Sequence, residues 1–192
     1  MLAIALFFGC TPVLTSGGVD DTGLPAWVAP ENTWSMSEPP SGLVAEGFDE
    51  GEVVPDIRLQ DQFGAEVSIW QFYGDIIVLD VSTLWCAPCQ IIASEVQATW
   101  EDYQSHGFQY ITMMPENLSN SVPTTEELMG WAEDFGIEQP VLGDGSGHSY
   151  EIAGSPASYP QVVIIDRDLT VVIPHVSPVD DANIRAAIES VL

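Results

Sequence analysis

Two cysteines, Cys86 and Cys89, stand between an unbroken apolar run, Ile76 to Val81, and a stretch in which Ile92, Val96, Trp100 and Tyr103 recur at helical spacing. The run is short and β-branched, which reads as a strand buried on both faces. The stripe reads as a helix that ends at Gly107. The C-x-x-C pair therefore falls where a strand gives way to a helix. There the first backbone N–H groups lack intrahelical acceptors, so a sulfur receives hydrogen bonds and the positive end of the helix dipole, and thiolate is favoured. The second cysteine, one turn on, reaches the same sulfur. The first thiolate can attack a disulfide in another molecule and the second can resolve the mixed disulfide, a two-electron thiol exchange. Pro88 is tolerated because a first-turn N–H has no partner to lose.

The rest of the chain predicts an α/β domain around this junction. Val53 to Leu59 is extended and apolar, and Asp61-Gln62-Phe63-Gly64 turns into Glu66-Val67-Ser68-Ile69, a β-hairpin at the domain's edge. Phe108 to Met114 returns as a strand. Thr124 with Glu127 three residues later predicts a capping box, and Leu128, Trp131, Ala132 and Phe135 form one apolar helix face before Gly136. A loop follows through Gly143 to Gly147. Val162 to Ile165 and Thr170 to Ile173 predict an antiparallel pair. Ser177-Pro178-Val179-Asp180 predicts the cap and first turn of a last helix, with Ile184, Ala187, Ile188 and Val191 as its buried stripe. Most aromatic residues sit at core periods. Trp85, next to the first cysteine, is instead expected to shield the sulfurs and to form part of a docking surface.

Charge removes whole classes of function. The 192 residues carry 29 acids against three arginines and no lysine, a formal charge of −26. Such a chain has no basic surface with which to neutralise phosphates, so general binding to nucleic acid or to an anionic membrane face is excluded. Yet 46% of the residues are apolar, enough for one domain with a real core. Of the acids, 25 lie from Glu46 onward, so the acidity belongs to the domain. Residues 46–192 are expected to form it.

Two segments precede the domain. Leu2 to Phe8 is wholly apolar and ends in Gly9-Cys10-Thr11, too short to span a bilayer and suited to the hydrophobic part of an export signal. A cysteine after an apolar run and a small residue resembles the bacterial lipobox, which implies cleavage before Cys10 and a lipid on it. The segment departs from that pattern in lacking a cationic start and in placing Phe7 where an aliphatic residue is usual. Residues 1–10 are thus expected to be a signal and lipidation segment. Residues 11–45, rich in Pro, Gly, Ser and acids without period, are expected to be a flexible tether, with Trp27 and Trp34 as isolated aromatics in it.

From Val78-Leu79-Asp80-Val81 through Trp85-Cys86-Ala87-Pro88-Cys89-Gln90-Ile91-Ile92-Ala93, the sequence resembles the thioredoxin superfamily, and the resemblance covers essentially Glu46 to Leu192. The leading hairpin and the helix before Pro140 are similar to the TlpA/ResA branch of exported, membrane-tethered thiol-disulfide oxidoreductases. The resemblance implies a thioredoxin-like fold: a central mixed sheet flanked by helices, with an N-terminal β-hairpin and an inserted helix. Cys86 and Cys89 would be the redox-active disulfide, Ala87 and Pro88 its intervening pair, with no other cofactor and no metal. It also implies a role for Asp80, six residues before Cys86, as a buried acid that relays a proton to or from Cys89. Tyr159-Pro160 matches the family's cis-proline, whose loop offers backbone to a substrate chain; Pro156 is the rival. The implied partners are disulfide-bearing exported proteins and a thiol donor, met by a monomer in the bacterial envelope that touches membrane only through its lipid.

Departures from the pattern carry information. Ile92 stands where ResA-type proteins have a glutamate, and Gln90 where thioredoxins commonly have a cation. Negative surroundings disfavour the Cys86 thiolate, which makes the disulfide relatively stable and predicts a reductant rather than an oxidase. The same field is expected to favour neutral or basic partners. Other readings compete. Zinc would need two ligands beyond the cysteine pair, and His106, His148 and His175 are isolated in sequence. Copper delivery would enlist His148 or His175, although the usual cysteine spacing is one residue longer. Thr83 sits three residues before Cys86 as in peroxiredoxins, but Leu79 replaces their proline. A disulfide-stabilised binding module without turnover is the last alternative.

Overall fold

The computed structural model describes residues 18–192. The expected signal segment and Cys10 lie outside them. Seven strands form one mixed sheet: β1 (Arg58–Gln60), β2 (Glu66–Ser68), β3 (Ile76–Val81), β4 (Phe108–Met114), β5 (Val141–Gly143), β6 (Gln161–Ile165) and β7 (Val171–Ile173), in the order β2-β1-β5-β4-β3-β6-β7. Strands β3, β4 and β5 run parallel, and the remaining pairings are antiparallel. The helices are α1 (Ala87–Tyr103), α2 (Thr125–Phe135), α3 (His148–Ala153) and α4 (Asp181–Glu189). This is the thioredoxin-like α/β class, with the leading hairpin as β1 and β2 and the inserted helix as α2.

Strand β3 is buried at all six positions, and its alternation divides the core. Ile76 and Val78 face one way, into a cluster with Cys89, Ile92 and Val96 of α1, Leu128 and Trp131 of α2, and Ile184 and Ile188 of α4. Ile77, Leu79 and Val81 face the other way, with Ile57, Phe72, Ile111, Met113, Val163 and Ile165. The capping box at Thr124 and Glu127 forms as expected, and α2 ends at Gly136 with φ 66, a conformation that glycine adopts without steric cost.

Three local expectations are corrected. A strand not read from the sequence, β5, runs up to Gly143, where the expected loop begins, and an unread helix, α3, follows that loop. The Asp144 carboxylate accepts from the backbone N–H of Ser146, Gly147 and Ser149, which satisfies donors at the start of a helix that no apolar period announces. The last helix begins at Asp181, not near Ser177. Asp180 is its cap and accepts from Asn183 N at 2.9 Å, while Pro178 lies outside the helix.

Residues 18–45, the described part of the expected tether, lie against the hairpin. Trp27 donates its indole N–H to Ser68 Oγ at 3.2 Å, and Arg58 reaches Val28 O at 2.6 Å while its guanidinium lies 5.9 Å from the Trp27 ring. Asn32 donates to Glu66 O and exchanges hydrogen bonds with the buried Gln71 side chain. Trp34 donates to Asp61 Oδ2 at 2.7 Å, packs 5.9 Å from the Phe63 ring, and joins Leu43 and Phe48 over the second core cluster. Long-range partners thus hold a segment whose composition alone reads as free chain.

A partly buried tryptophan that carries one hydrogen bond and a ring contact contributes about 2 kcal/mol. Trp34→Ala is expected to lower the urea-unfolding free energy by that amount, and Trp34→Phe, which keeps the ring but leaves Asp61 one donor short, by about 1 kcal/mol. Unchanged midpoints for both would mean that this contact contributes no net stability.

Candidate functional site

The site lies at the edge where parallel strands β3 and β4 end. After Val81, Ser82-Thr83-Leu84-Trp85 leads to Cys86, which is the N-cap of α1 with extended backbone (φ −84, ψ 106). Its sulfur accepts from Cys89 N–H at 3.2 Å, Pro88 occupies the first turn, and the two cysteines form a disulfide with Cα atoms 5.2 Å apart. Cys89 is fully buried and Cys86 is 4% exposed. Both residues are therefore buried, Cys89 completely and Cys86 nearly so. Gln90 donates to Leu84 O at 3.1 Å and so ties the turn before the pair to the helix after it.

Asp80 is 1% exposed and shares the face of β3 that packs, through Ile76 and Val78, in one cluster with both cysteines. Burial pushes its carboxyl up to about 7, moderated by one donor, the Ser82 hydroxyl at 2.8 Å. Its cross-strand neighbours are Thr112 on β4 and Val162 on β6. The hydroxyls of Thr112 and Tyr110 are buried without hydrogen-bond partners among the described residues. Tyr110 is raised well above the usual phenol range, first by burial and then by the charges of Asp80 and Asp181. A carboxyl so placed exchanges a proton near neutral pH, where a solvated aspartate would stay ionised.

The Tyr159-Pro160 peptide is cis, as are Ser155-Pro156 and Ser177-Pro178. Register distinguishes the first. Gln161 pairs with Val81 in the antiparallel β3 and β6 ladder, which sets Pro160 beside the end of β3 from which the cysteine turn departs. Trp85 is 47% exposed and stacks edge-on against Tyr159, ring centroids 6.0 Å apart. Burial, then the Glu116 charge, pushes the Tyr159 phenol up to about 12.

Sequence reasoning missed Glu116 and Tyr150. Glu116 accepts from Trp85 Nε1 and from the Tyr150 hydroxyl, each at 3.1 Å, and its backbone carbonyl accepts from Leu84 N–H. One signal could have found it: β4 runs parallel to β3, so a polar residue just past β4 lies beside the cysteine turn. Among the described residues no three His, Cys, Asp or Glu side chains gather as a metal site. Thr83 is buried and its hydroxyl has no partner among the described residues; Leu79 faces the opposite core cluster.

Comparison with known proteins bears on the family and the fold. The model of the AhpC/TSA family matches residues 51–173. No curated protein matches the chain. Among solved structures, the thioredoxin domain of a thiol-disulfide oxidoreductase from Bacteroides vulgatus superposes with a TM-score of 0.61 at 15% identity, covering 74% of this chain and 96% of that one. A Chlorobium tepidum protein assigned as thiol:disulfide interchange protein DsbE gives 0.60 at 24% identity, covering 74% and 94%. A secreted Mycobacterium tuberculosis disulfide oxidoreductase homologous to E. coli DsbE gives 0.56 at 13%, covering 70% and 96%. At these identities the likeness is one of fold.

Asp80 ionises near pH 4 in an unfolded chain and at about 7 in the fold. Between those values the folded state holds a proton that the unfolded state releases, so stability falls as pH rises through the window. Asp80→Asn removes this loss. The variant is expected to gain on the wild type in urea-unfolding free energy from pH 4 to pH 7, by at most about 4 kcal/mol. A difference that stays flat with pH would show that Asp80 ionises as an ordinary surface acid.

Proposed function

The chain belongs to the AhpC/TSA family, and from that membership together with a disulfide that opens α1 over a buried acid we propose that it is an exported thiol-disulfide oxidoreductase acting on partner proteins. The observation that carries the reading is the disulfide between Cys86, the N-cap of α1, and the fully buried Cys89, on the same sheet face as Asp80. Cys86, Cys89 and Asp80 are the residues to which we assign chemistry. Trp85, Tyr159 and Pro160 are assigned to docking.

In the reducing direction the protein begins as the dithiol. The Cys86 thiolate attacks one sulfur of the partner's disulfide, forming a Cys86–partner bond and releasing the partner's other sulfur as a thiolate, which takes up a proton. Asp80 accepts the Cys89 proton. The Cys89 thiolate then attacks the Cys86 sulfur, closing the Cys86–Cys89 disulfide and releasing the second partner thiolate, which is protonated in turn. Two electrons pass from the dithiol to the partner, and an external thiol donor restores the dithiol. The direction rests on electrostatics. The Cys86 thiolate gains the N–H of Cys89 and the helix terminus but no cation, because the three arginines pair elsewhere, with Asp56 and Glu66, with Asp166, and with Asp102 and Asp181. A thiolate without a cation is less stabilised, and the disulfide is correspondingly harder to reduce. Export and lipidation at Cys10 follow from the N-terminal sequence, and secretion of a structural relative is consistent with export.

Reduction of insulin by the wild type and its loss in Cys86→Ser test the activity. Cys89→Ser is expected to accumulate the mixed disulfide, visible as a dithiothreitol-sensitive adduct on non-reducing gels and identifiable by mass spectrometry. Wild-type inactivity, or activity that survives Cys86→Ser, would refute the assignment. A reduction potential near that of glutaredoxins or lower, about −200 mV or below, is expected from the cation-poor site. A value near −120 mV, as for a strong periplasmic oxidant, would reverse the direction.

A further inference from the structure

Glu116 accepts hydrogen bonds from aromatic residues of two separate segments, and a third aromatic residue packs against one of them. Trp85, from the turn before Cys86, donates to Oε2, and Tyr150, from α3, donates to Oε1, each at 3.1 Å. Tyr159, beside Pro160, stacks edge-on with Trp85 and is the phenol on which the Glu116 charge acts next after burial. Its hydroxyl is buried and has no partner among the described residues. The backbone of Glu116 is tied to Leu84, two residues before Cys86, so the carboxylate is fixed close to the disulfide.

Among the described residues no cation pairs with this carboxylate. Both of its donors are neutral, and a carboxylate offers about four lone-pair positions, of which these donors occupy two. The chain has no lysine, and each arginine is engaged with acids other than Glu116. Trp85 and Tyr150 are each nearly half exposed, at 47% and 46%. Aromatic faces attract cations, and a charge-assisted hydrogen bond to a carboxylate reinforces that attraction.

From this juxtaposition we infer that Glu116, held by Trp85 and Tyr150 with Tyr159 packed against Trp85, is a docking site for a cationic side chain, a guanidinium or an ammonium, that flanks the disulfide of the partner protein. The inference deepens the proposed exchange activity and rests on it. It turns a diffuse preference set by net charge into a contact at one carboxylate, tied to the turn that carries Cys86. The other acids on the surface attract the same partner at long range, but they do not orient it on Cys86.

The test uses reduced protein and symmetric disulfides of one short peptide with arginine, citrulline or glutamate next to its cysteine. The second-order rate constant for each is divided by that for the small neutral 2-hydroxyethyl disulfide with the same variant. At low ionic strength the wild type is expected to prefer arginine over citrulline by about fivefold to tenfold, with glutamate slowest. Glu116→Gln should bring the arginine preference down to about twofold or less, and Glu116→Asp should retain part of it. Tyr150→Leu, which spares the carboxylate, should lower the ratio by roughly twofold. An arginine preference equal in the wild type and Glu116→Gln would overturn the inference and assign the effect to the overall charge. A wild type that reduces 2-hydroxyethyl disulfide but shows no preference would also overturn it, leaving the exchange reading intact. Failure to reduce any of these disulfides would overturn both.

Discussion

The parallel pairing of β3 with β4 is the constraint from which the site follows. Six residue pairs, Ile76 with Phe108 through Val81 with Met113, fix the register, and parallel strands end at the same edge of the sheet. That brings the cysteine turn after β3 beside Pro115 and Glu116 after β4. The antiparallel β6 adds its beginning to the same edge, and with it Tyr159 and Pro160. Three connections far apart in sequence therefore meet around one disulfide. A shift of one residue in this register would turn Asp80 to the opposite face, away from the cluster that holds Cys86 and Cys89.

Burial of β3 on both faces has a second consequence. A strand interior to the sheet leaves no water for a carboxylate, so Asp80 is held near neutral ionisation by desolvation, with Ser82 as its one side-chain donor. In a surface strand the same residue would be an ordinary acid. The hydroxyls of Tyr110 and Thr112, which have no partners among the described residues, lie on the neighbouring strand, and they show that the polar interior under the disulfide is not confined to the acid. Around it the molecule is strongly negative, and the site adds no cation. Both features make negative charge on sulfur costly, and both act in the same direction on the balance between dithiol and disulfide.

Much of this was legible in the sequence because short-range patterns encode it. The run Ile76 to Val81, the stripe from Ile92 to Tyr103, and the Thr124 and Glu127 cap are each set by neighbours within a few residues, and they appear where they were read. The antiparallel pair near the end of the chain is similarly local. Elements that depend on distant partners were not legible. Strand β5 is three residues long and exists because β4 and β1 pair with it on its two sides. Helix α3 is started by a carboxylate three residues before its cap, and its cap is a glycine in the left-handed region. The placement of Pro178 before the last helix illustrates a different limit, since Asp180 is the better cap and wins over the proline signal.

The segment at residues 18–45 extends that lesson from elements to domain boundaries. Composition there lacks period, and absence of period reads as absence of structure only if the segment must satisfy itself. Here the partners are supplied by the hairpin. Gln71 is fully buried, and its side chain is completed by Asn32 and by the Ser35 carbonyl. Asp61 is buried as well, and it receives the Trp34 indole in addition to two backbone donors of its own turn. Buried polar groups of this kind are costly when left unpaired, so the hairpin and the segment are complementary parts of one structure. Among the described residues these hydrogen bonds thus reach ahead of the point at which the apolar pattern begins.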